Sequence, residues 1–129
     1  MASILLIDDD KNLRVLTSDL LRRGGHAVDT ASDGKEGLEL YKSGQYDLVI
    51  TDIVMPDMNG LQLIEQLTKT NPRPRVIAMS GGSQFSQSSF LPMAKGLGVE
   101  RILAKPVLPG VLLRTVADVL TKPAQATKT

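Results

Sequence analysis

The 129-residue sequence has no cysteine and no tryptophan, two phenylalanines, two tyrosines and a single histidine. Without cysteine there are no disulfides and no thiolate metal sites, which removes the disulfide-stapled secreted class. No apolar run approaches the roughly 20 residues that span a bilayer, and the N-terminus lacks the basic region, apolar stretch and small-residue cleavage site of a signal peptide. Neither sign of charge is in excess: fifteen Lys and Arg stand against fourteen Asp and Glu, for a formal charge of +1. Basic blocks interleaved with aromatics, the mark of nucleic-acid binding, are missing too. These absences leave the expectation of a soluble, cytoplasmic domain with protein partners and no nucleic-acid or membrane contact of its own.

What is present is alternation. Short β-branched or aliphatic runs take turns with amphipathic segments, the pattern of βαβ units around a parallel sheet. A chain of this length buries roughly two-thirds of its unfolded surface in one core, so a single α/β domain over residues 1–121 is expected. Strands are read at Ile4–Ile7, Ala27–Ala31, Asp47–Thr51, Arg75–Met79 and Arg101–Ala104. The first, third and fourth are apolar enough for the sheet interior, and the other two belong nearer its edges.

Helices are read at Lys11 to about Arg23, with Leu13, Leu16 and Leu20 on one stripe, Asp10 as N-cap and Gly24-Gly25 as the stop. A second begins at an Asp33/Glu36 capping box, turns Leu38 and Tyr41 inward and ends at Gly44. A third begins at Asn59 and Gln62, presents Leu61, Ile64 and Leu67, and stops before Asn71-Pro72-Arg73-Pro74. A short one, capped by Ser88 or Ser89 with Pro92 in its first turn, ends near Gly96. The last runs from Pro109 to about Leu120, with Leu112, Leu113, Val116 and Leu120 on one side. Residues 81–92 read as a long loop holding both Phe85 and Phe90, either plugging it onto the domain or serving as a partner surface. Residues 122–129 lose all periodicity and are expected to be a disordered tail or the start of a linker.

The polar residues that end the strands carry the chemistry. In an open parallel sheet, ligands bind beyond the carboxyl ends of the strands, where the order of connection reverses. Asp8 and Asp9 end the first strand, Asp52 the third and Ser80 the fourth, and Lys105 follows the fifth. Asp8-Asp9-Asp10 could be no more than a solvated turn, but Asp10 alone suffices as a cap. Asp57 likewise supplies the turn chemistry that Asp52 would otherwise serve. Three acids in one pocket repel unless a cation joins them, and all-oxygen ligation suits a hard ion such as Mg²⁺. Asp52 is then free to act as a nucleophile toward phosphorus, with Lys105 neutralising charge on the transferring group. Ser80, with the Gly81 amide, suits a phosphoryl oxygen. His26 has no polar companion nearby in sequence and reads as structural.

The strand-one acids, the block Asp52-Ile53-Val54-Met55-Pro56-Asp57-Met58-Asn59-Gly60, the Ser80-Gly81 step and the Lys105-Pro106 pair stand in an order that resembles the receiver domain of bacterial two-component response regulators, over about residues 3 to 121. The resemblance implies a doubly wound, flavodoxin-like (βα)5 fold: a five-stranded parallel sheet in order 2-1-3-4-5 with five helices. It implies that Asp52 is the phospho-acceptor, charged by a histidine kinase or histidine phosphotransfer protein. Mg²⁺ would be held by Asp9, Asp52 and the Val54 carbonyl, with Asp8 acting mainly through a water. Ser80 would be the switch hydroxyl and Lys105 the phosphate-contacting lysine. Ile102 occupies the second switch position, where the family usually carries Tyr or Phe, and the 25 positions from Ser80 to Lys105 point to an insertion in the 81–92 loop. The expected state is a monomer or weak dimer acting on a downstream protein target.

Two other readings use the same residues. A phosphorylation-independent binding module could keep the fold, although the intact acid set argues against it. A phosphohydrolase with an Asp nucleophile would need a Thr-bearing turn after Asp8-Asp9-Asp10, where Lys11-Asn12 stands.

Overall fold

The computed structural model describes residues 2–53, 60–70, 73–80, 96 and 98–121. Five parallel strands, β1 (Ser3–Ile7), β2 (Ala27–Ala31), β3 (Leu48–Asp52), β4 (Arg75–Ser80) and β5 (Arg101–Ala104), form one sheet in the order β2-β1-β3-β4-β5. Four helices are present among the described residues: α1 (Lys11–Arg23), α2 (Gly34–Ser43), α3 (Gly60–Thr68) and α4 (Pro109–Thr121). None is long and apolar enough to cross a membrane. The polar strands β2 and β5 are the edges, as their composition requires, and β3 is buried along its whole length.

Alternation along the strands divides the core between two faces. Leu5, Ile7, Val49 and Ala78 point toward Leu63, Ile64 and Leu67 of α3. Ile4, Leu6, Leu48, Ile50, Ile77 and Met79 point the other way, toward Leu21 of α1 and Leu112, Val116 and Val119 of α4. This two-sided burial is why the central strands are near-continuous apolar runs.

Helix starts follow local chemistry. The Asp10 carboxylate accepts from the Leu13 amide at 3.1 Å and caps α1. Asp33 does the same for α2 through the Glu36 amide at 2.7 Å, but Glu36 closes the box one residue earlier than expected, accepting from the Ser32 amide and hydroxyl. Gly25, at φ 94°, ends α1 in the left-handed region. His26 is structural: its Nδ1 accepts from the Ala2 amide.

In α1 the buried residues are Ser18 and Leu21; of the stripe Leu13, Leu16 and Leu20, Leu20 packs against the margin of the core and Leu16 is 57% exposed. Ser18 is small and turns its hydroxyl back to the Val15 carbonyl at 3.0 Å, which lets the helix lie close to the sheet on that side. In α4, Leu112, Thr115, Val116 and Val119 are buried, while Leu113 and Leu120 are partly buried at the margin. Asn59, the side chain of Leu61, the loop 81–92 with Phe85 and Phe90, the short helix ending near Gly96 and the tail 122–129 lie outside the described residues.

Candidate functional site

The sheet order places the reversal of connection between β1 and β3, and register does the rest. Ile7 pairs with Thr51, so the next residues, Asp8 and Asp52, leave adjacent strands at the same level. Asp52 pairs with Met79, one residue before Ser80, and Ser80 pairs with Ala104, one residue before Lys105. The Lys105 amide donates to the Ser80 carbonyl at 2.8 Å, so the backbone beyond β5 is still aligned where its ammonium turns over the sheet end.

The side chains converge. Carboxylate oxygens of Asp8, Asp9 and Asp52 lie within 4.8 Å of one another, with Asp8 and Asp52 buried and Asp9 exposed. Lys105 Nζ donates to Asp52 Oδ2 at 2.7 Å and to Asp8 Oδ2 at 3.2 Å. Burial works against the Lys105 ammonium, but the hydrogen bond to Asp52 and the charges of Asp52 and Asp8 outweigh it, raising its pKa above the usual lysine value. The three acids and one ammonium carry a formal charge of −2. An oxygen-only donor set with that excess charge, open to solvent through Asp9, fits a hard divalent cation.

Two contacts that sequence reasoning missed hold these acids in place. Asp8 Oδ1 accepts from the Asp10 amide at 3.0 Å, and the Asp8 carbonyl accepts from Arg14 Nη1 at 2.8 Å. The signal available for Arg14 was its place one turn after the Asp10 cap, which puts its side chain on the helix end facing the acids. Thr51 Oγ1 donates to the Asp52 carbonyl at 3.0 Å. Ser80 is buried at the end of β4. Ile102 is half-buried, pairs with Ala78 and packs on the α2–α3 side of the core. Val54 lies outside the described residues. An open cleft of about 360 Å³ adjoins Asp8 and Lys105, walled by Leu13, Leu16, Leu20 and Val107.

Residues 4–117 match the family model of the response regulator receiver domain. The chain belongs to this family. Over 108 residues it is 34% identical to the aerobic respiration control sensor protein ArcB of Escherichia coli, a match that covers 81% of this chain and 13% of ArcB. The chain therefore corresponds to a small part of that sensor. It is 29% identical to the chemotaxis protein CheY of Thermotoga maritima, covering 90% of this receiver domain and 95% of CheY. Among solved structures, the response regulator protein TrrA of Thermotoga maritima, in complex with Mg(2+)-BeF, superposes with a TM-score of 0.80 at 29% identity, covering 92% of this chain and 99% of that one. The receiver fold is thus shared over 92% of this chain.

Proposed function

We propose that Asp52 is the phospho-acceptor of a phosphorylation-dependent signalling switch, charged by a phosphohistidine on a histidine kinase or a histidine phosphotransfer protein. The observation that carries this reading is the placement of the Lys105 ammonium at 2.7 Å from an Asp52 carboxylate that is grouped with those of Asp8 and Asp9. A carboxylate oxygen of Asp52 attacks phosphorus, the P–N bond to the donor imidazole breaks, and the imidazole leaves with the electron pair and takes up a proton. Asp52 then carries an acyl phosphate, later returned to carboxylate by water attacking phosphorus and releasing inorganic phosphate.

Asp8, Asp9 and Asp52, joined by the Val54 carbonyl, are the residues that would hold Mg²⁺, which when bound supplies charge neutralisation at the transferring group. Lys105 meets the same charge from the side of β5, and Ser80 offers its hydroxyl to a phosphoryl oxygen. Drawing Ser80 and Lys105 toward the new group biases the domain between two states separated by about a few kcal/mol. Ile102, in place of an aromatic, makes the second switch position a packing contact rather than a rotating phenol. The exposed Leu16 beside the cleft offers apolar contact to the protein that brings the phosphohistidine.

Asp52→Asn is expected to abolish phosphoryl uptake from acetyl phosphate, read by intact-protein mass spectrometry or radiolabel. Stoichiometric labelling in that variant would remove the assignment. Failure of the unaltered chain to take up label in Mg²⁺, together with retained partner binding, would favour a phosphorylation-independent binding module.

A further inference from the structure

Every polar group of Asp8 has a partner, and one of those partners is a side chain that reaches it from within α1. The Asp8 amide donates to the Ala31 carbonyl at 3.1 Å, extending the β1–β2 ladder by one bond. Its carboxylate oxygens accept from the Asp10 amide and from Lys105 Nζ. The remaining group, the main-chain carbonyl, lies past the end of β1 and accepts from Arg14 Nη1 at 2.8 Å. Arg14 is itself fixed in α1, where its backbone amide donates a hydrogen bond to the Asp10 carbonyl at 2.8 Å. A rigid helix thus reaches back and tethers the backbone from which Asp8 and Asp9 project.

We propose that Arg14 is a positioning residue for the metal-binding acids, holding the Asp8–Asp9 backbone at the angle where their carboxylates converge with Asp52. The inference rests on the reading of Asp8, Asp9 and Asp52 as a Mg²⁺ site. Partners that orient metal ligands from behind matter nearly as much as the ligands, and their loss typically lowers affinity about 10- to 100-fold. The guanidinium also has an opposite influence, since its positive charge repels an incoming cation. Removing it therefore weakens Mg²⁺ binding if the tether dominates and tightens it if charge dominates. The sign of the change separates the two roles.

The same helix supplies a control. Arg22 Nη2 donates to the Val28 carbonyl at 2.9 Å, a bond of the same type two turns further along α1 and away from the acids. Isothermal titration of Mg²⁺ into the unaltered chain, Asp9→Ala, Arg14→Met, Arg14→Lys and Arg22→Met, with urea midpoints for each, tests the proposal. Arg14→Met is expected to weaken Mg²⁺ binding on the order of tenfold and to speed hydrogen exchange of the Asp10 amide, while Arg22→Met lowers the midpoint and leaves Mg²⁺ affinity unchanged. Arg14→Lys keeps the charge but not the planar fork, so its affinity should also fall, and it carries the test if Arg14→Met does not fold. Unaltered or tighter binding in the Arg14 variants would overturn the proposal while leaving the metal site standing. A parent chain with no Asp9-dependent Mg²⁺ binding would overturn both together.

Discussion

Lys105 is the residue on which the site's electrostatics turn. Its ammonium contacts two buried carboxylates, and its own side chain is 15% exposed. Removing one partner from such a set leaves charge buried without compensation, which costs about 3 kcal/mol. Lys105→Met is therefore expected to lose about that much stability near neutral pH in urea unfolding. The pH dependence follows from the raised pKa of the folded state. Its contribution is complete below the unfolded lysine value and is lost only as pH climbs through the higher folded one. The gap between parent and variant should thus hold constant from neutral to mildly alkaline pH; a gap that closes before lysine begins to titrate would show that Lys105 does not stabilise the acids. At this scale the caps Asp10 and Asp33 and the strand-end residues Asp8, Asp52, Ser80 and Lys105 were legible, because each follows from a rule of local spacing. Arg14 was not, since an arginine one turn into a helix reads equally well as a solvated charge.

Among the elements, α2 and α1 pack on opposite faces by different means. α2 approaches β1 through Gly37, where an added Cβ would meet Ile7 Cδ1 at 2.5 Å and Cγ1 at 2.8 Å. Ile7 is fully buried in the core, so a shift of its side chain must displace packed neighbours. Gly37→Ala sets an overpacking cost of about 1–3 kcal/mol against a gain of about 1 kcal/mol in helix propensity. A net loss of about 1 kcal/mol is expected, read as a lower urea midpoint with unchanged slope, and a stabilised variant would mean that α2 can slide. For α1, periodicity identified an apolar stripe but not what it faces. Leu13, Leu16 and Leu20 border the cleft beside Lys105, whereas Ser18 and Leu21 meet the sheet. Two stripes of one helix can both look plausible in sequence, and the choice between them depends on how closely the helix lies on the strands, which a small residue such as Ser18 sets.

Across the whole molecule, the site belongs to no single element. It forms where the sheet's winding reverses, so its acids come from β1 and β3 and its ammonium from beyond β5. Ligand binding there should accordingly stabilise the entire fold. If Mg²⁺ binds only the native state, a concentration about ten times Kd adds ~1.4 kcal/mol. Thermal unfolding with and without Mg²⁺ checks this; an equal shift in Asp9→Ala would assign the effect elsewhere. Strand positions, the two edge strands and the caps Asp10 and Asp33 were readable directly from the chain, because hydrophobic period and capping chemistry act over a few residues. The depth of the acid pocket, the double engagement of Lys105, the tether from Arg14 and the exposed face of α1 came only with folding. Each joins residues far apart in the chain, or a side chain to a distant stretch of backbone, through a register and an approach distance that local spacing does not encode.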